Sequence, residues 1–263
     1  MRKSGVFWGL VLSVIGLIAL LKTTGVIDIN VWALIWPSAI ILVGLWLILR
    51  PAVRKADLVT AQEKILLEGA QEAQISIAHG AGTIDLHALD EPGVLLEGSF
   101  GGGVRKDVQR VGNTLKVKLD AEFDWVFPTV DHGWFWSLGL TRDIPLDIRV
   151  KGGANEATLN LEHLRVQNLV IETGASSTQV YMPRSAGMTH ARVDAGVASV
   201  KIYIPDQAAA RICVESGLTG VNIIAGRFNR VGDEYISPDY ETAQNKIDLL
   251  VKAGVGSIDI QSY

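Results

Sequence analysis

Five histidines, His79, His87, His132, His163 and His190, are the side chains best suited to acid–base work near neutral pH or to holding a metal. Their spacing supports neither use. No two stand in an H-x-x-x-H arrangement, and His79 and His87 flank a glycine where a shared metal would need further ligands. Gly101–Gly103, ahead of Arg105 and Lys106, is the glycine cluster a phosphate could use. It lacks the G-K-[ST] ending and a following helical pattern, so it reads as a hairpin tip. Asp143 and Asp147 offer two carboxylates, but on the extended stretch IPLDIRV they read as strand-edge charges. Cys213 is the only cysteine, which excludes an intramolecular disulfide and a cysteine-rich metal site. No adjacent basic residue activates its thiol. The expectation is a non-enzyme, with no catalytic residues, metal or cofactor.

The elements that frame these residues fall into two unlike parts. Val6 to Leu21 and Val31 to Leu49 are apolar runs without a charge. A membrane-spanning helix needs about 20 such residues, with a range of about 17–25. The second run meets that alone, and the first does with its flanks. A cleaved signal peptide is the alternative for the first run. It has basic residues at its start but no small-residue cleavage site before Lys22. A two-helix hairpin over residues 1–55, spanning about 6–21 and 31–49, fits better. Trp8 and Trp32 stand where interfacial anchors belong. Arg2 and Lys3 precede the first span, and Arg50, Arg54 and Lys55 follow the second. The positive-inside rule then puts both ends, and the domain that follows, in the cytoplasm.

Residues 56–64 read as a linker. From Ala56 onward the chain carries 18 basic and 27 acidic residues, a charge of roughly −9. Such a surface argues against a nucleic-acid partner and against lying flat on anionic lipid.

Residues 65–263 repeat themselves. Six copies centre on Gly80, Gly153, Gly174, Gly196, Gly217 and Gly254, with intervals of 21, 22 and 21 residues from Gly153 to Gly217 and then 37 to Gly254. Three positions before each glycine stand Ile77, Val150, Ile171, Val193, Val214 and Val251. Six positions after stand Leu86, Leu159, Val180, Ile202, Ile223 and Ile260. Both columns are aliphatic, and the column five positions after each glycine is polar. Each copy reads as strand, glycine corner, strand, and a positive φ at the corner would explain the glycine. A lone two-stranded unit cannot bury its apolar face, so the copies must stack on one another. A β-solenoid is expected, with an antiparallel β-sandwich as the alternative.

Two segments interrupt the repeat. Val94 to Leu119 reads as a hairpin whose middle is GGGVRKDVQRVGN. Residues 122–139 form an insertion carrying Trp125, Phe127, Trp134, Phe135 and Trp136. These aromatics either cap one end of the core or stand exposed, against the membrane interface or a partner.

The hairpin residues Trp8-Gly9-Leu10, Ile15-Gly16, Gly25, Trp32, Trp36-Pro37 and Ile40 to Gly44 resemble the membrane region of LiaF-like proteins, the bacterial cell-wall-active antibiotic response family. The glycine-cornered strands resemble the toast-rack domain often joined to it. The resemblance implies a bacterial multi-pass membrane protein with a right-handed solenoid-like β-domain. It also implies a role in envelope-stress regulation through a membrane or regulatory protein partner. No functional residues carry over, and the aromatic segment is not part of the resemblance. A self-assembling membrane scaffold, with a second copy of the chain as partner, is the competing expectation.

Overall fold

The computed structural model divides into two compact units, Met1–Ala56 and Asp57–Tyr263. It describes Pro37, Ile40 and residues 60–121, 134–224 and 226–263. Apart from Pro37 and Ile40, the two-helix hairpin, with Trp8 and Trp32, lies outside the described residues. Among those described, no helix is long and apolar enough to cross a membrane.

Among its described residues the second unit has thirteen strands: β1 (Thr60–Leu66), β2 (Glu72–Leu89), β3 (Val94–Gly101), β4 (Val104–Val111), β5 (Thr114–Ala121), β6 (Phe135–Thr141), β7 (Leu146–Asn160), β8 (Val166–Tyr181), β9 (Met188–Ile204), β10 (Ala209–Ile223), β11 (Asn229–Val231), β12 (Glu234–Ile236) and β13 (Lys246–Ser262). β1 takes in Thr60 to Lys64, which the sequence reading leaves in the linker. The six glycine-centred copies are β2, β7, β8, β9, β10 and β13, each one long strand running through its glycine.

Chain geometry forces these strands to bend. A straight strand of 15 residues such as β7 would be about 50 Å long. The return from its end to the start of β8 is residues 161–165, which span at most about 18 Å. The two ends can meet only if each strand folds back at its middle. At that middle the ladder skips one position: Gly152 pairs with Thr173 and Ala154 with Ala175, with Gly153 and Gly174 between them. The inward face also changes parity there. Val193 and Ala195 point in before Gly196, and Ala198, Val200 and Ile202 point in after it.

The six rungs pair in parallel through five interfaces, β2–β7, β7–β8, β8–β9, β9–β13 and β13–β10. This overturns the antiparallel-sandwich alternative. It also separates chain order from stacking order, because β13, the last strand, inserts between β9 and β10. The return between β9 and β10 therefore steps over a rung. Arg227 fastens that return: its guanidinium donates to the carbonyls of Ile204, Pro205 and Ala208.

Both aliphatic columns are buried on β2, β7, β8, β9 and β13. On β10 both Val214 and Ile223 are only partly buried. At the opposite end of the stack β2 splits. Its first half pairs with β5, and its second half with β6, which continues into antiparallel β3 and β1. The stretch read as the middle of a hairpin is itself strand β4, paired with β5, while β3 pairs with β1 and β6. The turn between β3 and β4 holds Gly102 and Gly103 at φ 83° and 88°, but these two strands pair elsewhere, so it is a connection and not the hairpin tip expected there.

Candidate interaction surface

The glycine column is the most regular feature of the outer surface. None of its six glycines has a positive φ. That corrects the sequence expectation and replaces it with a different reason. A Cβ on Gly153 would lie 2.5 Å from the carbonyl oxygen of Gly80, and on Gly174 2.8 Å from that of Gly153. Gly196, Gly254 and Gly217 repeat the contact, each against the glycine of the preceding rung in the stack. The corner is glycine because one rung's backbone lies where a side chain would be. Positive φ occurs two residues later, at Gly82 and Gly256, where a Cβ would strike the Trp134 and Ala198 carbonyls.

Without side chains on the column, an open groove of about 830 Å³ runs along it. On the five rungs from β7 to β10 the position two residues before the glycine is charged and lines one wall, in stacking order Lys151, Glu172, Asp194, Lys252 and Glu215. Lys151 bonds Glu172 at 2.9 Å and Lys252 bonds Glu215 at 2.6 Å. These are exposed pairs that set local charge rather than hold the fold. One residue past the glycine, the stacking order reads Ala81, Ala154, Ala175, Val197, Val255 and Leu218. The side chains grow toward β10 and stay exposed, at 59% for Val197, 46% for Val255 and 82% for Leu218. Sequence reasoning followed the inward columns and missed this outward apolar ridge. The signal was present, as aliphatic residues directly after Gly196, Gly217 and Gly254.

The aromatic segment divides. Trp125 and Phe127 lie outside the described residues. Phe135 is exposed, whereas Trp136 is fully buried, with its ring edge-on to Phe100 at 5.0 Å between centroids. For Trp136 this corrects the reading as a surface anchor, because it belongs to the core near the closed end of the stack. Trp134 is half-buried beside His79 and Gly102. His79 is buried against Trp136, and among the described residues neither of its ring nitrogens has a hydrogen-bond partner. Burial pushes its pKa down to about 4, so it is neutral at pH 7.

The other candidate chemistry stays dispersed. His87 faces Asp85, His163 faces Glu162 and His190 faces Asp248, each as a separate surface pair. His132 lies outside the described residues. Asp147 accepts from Asn168 at 2.7 Å, and the Asp143 carbonyl accepts from Arg165. Burial and the carboxylates of Glu215, Glu234 and Asp233 push the Cys213 thiol up, away from reactivity. Among the described residues no three His, Cys, Asp or Glu side chains gather into a metal site.

Residues 1–55 match the LiaF transmembrane domain. Residues 54–203 match the N-terminal domain of toast_rack, DUF2154. No curated protein matches the chain. The fold is similar to that of a solved candidate cell adhesion protein from Clostridium sporogenes ATCC 15579, at 18% identity and a TM-score of 0.69, over 79% of this chain and 100% of that one. A candidate adhesin from Bacteroides fragilis NCTC 9343 aligns at 12% identity over 80% of this chain and 98% of that one, but its TM-score of 0.29 is too low to argue from. With more than half of its length inside one family's domain and the preceding residues inside another, the chain belongs to the toast-rack family as a LiaF-like protein.

Proposed function

We propose that this protein is a membrane-anchored, non-enzymatic interaction module of the bacterial envelope-stress response. The observation that carries the reading is the tiling of a LiaF transmembrane domain and a toast-rack domain along one chain. Two helices at about 6–21 and 31–49 hold it in the bilayer, with Trp8 and Trp32 at the interface. The charge asymmetry around them sets the β-domain on the cytoplasmic side, where it meets a membrane or regulatory protein. The right-handed coil expected of the stack follows the general preference for parallel crossovers. Its outer surface supports binding rather than turnover, since it offers a charged ladder, an apolar ridge and a glycine-floored groove. The exposed Phe135, with Trp125 and Phe127 from the same insertion, is a second candidate contact.

Deleting the gene in the native host, then exposing the cells to a wall-active antibiotic, tests the reading. The transcriptional response should change, and the full chain should restore it while residues 57–263 alone should not. An unchanged response in the deletion strain would remove the envelope-stress assignment. A self-assembling scaffold is the second reading, favoured by the outer side of β10 beyond Cys213, which no strand among the described residues pairs.

A further inference from the structure

We propose that β10 is a self-pairing edge, through which two copies of this chain join antiparallel about a two-fold axis. The inference rests on the fold and not on the envelope-stress reading, and it replaces open-ended stacking by a closed pair.

A parallel stack has two ends, and each must be covered. One end is closed here. β5 and β6 complete the β2 rung, and the outermost strands carry charge: Arg105, Lys106, Asp107 and Arg110 on exposed β4, and Glu63 and Lys64 on β1. Charged outer strands deter edge pairing. The β10 end is closed only in part. β12 pairs with β10 over Arg211–Cys213 and β11 extends that hairpin. Beyond Cys213, among the described residues, nothing pairs with the outer side of β10.

The uncovered stretch has the features of an interface strand. Its sequence from Val214 to Ile224 is VESGLTGVNII, without proline or lysine and with Glu215 as its one charge. The core column four residues past the glycine is fully buried as Ile84, Val200 and Ile258, yet the same position on β10, Val221, is 41% exposed. Leu218 and Ile224 are exposed beside it, and the Val197–Val255–Leu218 ridge ends there. This is a row of open backbone donors and acceptors with apolar side chains on both faces, which an added strand satisfies.

Charge and closure select the occupant. In an antiparallel pair of the arm beyond the Gly217 bend, centred near Val221, Leu218 lies opposite Ile224 and Glu215 stays outside the paired stretch. Parallel pairing in register would set Glu215 against Glu215. Head-to-tail stacking would bury the charges of β1 and β4. Only the antiparallel two-fold arrangement uses the same patch twice, keeps the two Glu215 carboxylates apart and leaves no open end. An interface this short belongs to the small class, below about 1,200 Å².

The test uses the full chain in lipid nanodiscs, with a Cys213→Ser background and single cysteines walked through positions 218–224. Mild oxidation should give a covalent dimer with one maximum near position 221, falling to either side. Leu218→Lys with Val221→Lys, at positions already exposed, should lower the dimer yield at least tenfold while the melting temperature stays put. Cross-linking of equal strength at every position would mean parallel pairing. Assemblies that lengthen with concentration would mean head-to-tail stacking. Absence of cross-links at all seven positions would mean that no second copy sits there. Each of these three outcomes overturns the proposal.

Discussion

The Cα of Gly153 faces the carbonyl oxygen of Gly80 so closely that a Cβ would stand 2.5 Å from it. The same contact recurs up the stack at 2.7–2.8 Å, from Gly153 to Gly174, Gly196, Gly254 and Gly217. The bend of every rung therefore depends on its neighbour's bend. A side chain on this column acts on the spacing of two rungs rather than on one residue's φ.

Gly174→Ala should cost about 1–3 kcal/mol, the range for forcing extra volume into packed backbone. Gly220→Ala is the matched control, since nothing lies within 4 Å of a Cβ there and its φ is not positive. Urea unfolding of both variants checks this. Equal losses would mean that backbone freedom, and not close approach, explains the column.

Trp136→Ala should cost about 3–5 kcal/mol, because the side chain is fully buried on Phe100. Phe135→Ala, one residue away and exposed, should stay within about 0.5 kcal/mol. Thermal melts separate the two. A partner that binds through this segment would lose affinity with Phe135→Ala while the melting temperature holds.

His79 makes stability fall with acid. Its folded pKa of about 4 lies below the ordinary 6.5, so the unfolded chain takes up the proton first. The contribution is complete above pH 6.5 and is lost progressively as pH falls toward 4, by about 3 kcal/mol in all. His79→Met should flatten the stability profile between pH 6.5 and 5, above the range where most carboxylates titrate. Superimposable wild-type and variant slopes in that window would show that His79 is not buried neutral.

Removing β13 by ending the chain at residue 245 should do more than trim an edge. β13 makes both the β9 and the β10 interface, so its loss separates β10 and its hairpin from the stack. Hydrogen exchange should show β10 unprotected while β7 and β8 remain protected. A protected β10 would mean that it had closed onto β9.

Arg227→Met should destabilise the chain by about 1–3 kcal/mol, since the carbonyls of Ile204, Pro205 and Ala208 each lose a donor, Ile204 and Pro205 keeping the N–H groups of Tyr263 and Ala208. Chemical denaturation checks the loss, which should fall below 0.5 kcal/mol if water takes over those carbonyls.

By itself the sequence determined the rung. Aliphatic columns before and after each glycine define an inward face, and the burial of Ile77, Leu86, Val193 and Ile202 follows from burying it. It also carried the family, in the tryptophan, proline and glycine pattern of residues 8–44. Tertiary structure decided what neighbours decide. A period of 21 or 22 residues is the same whether copies stack in chain order or not, so the place of β13 was invisible. A glycine needed for φ and one needed for close approach are the same letter, and only the oxygen of the next rung tells them apart. Trp134, Phe135 and Trp136 are adjacent and similar in type, yet alternation along β6 buries one and exposes another. Val221 is a core residue by its column and a surface residue by its rung, because being last in the stack is a property of the assembled sheet and not of any segment.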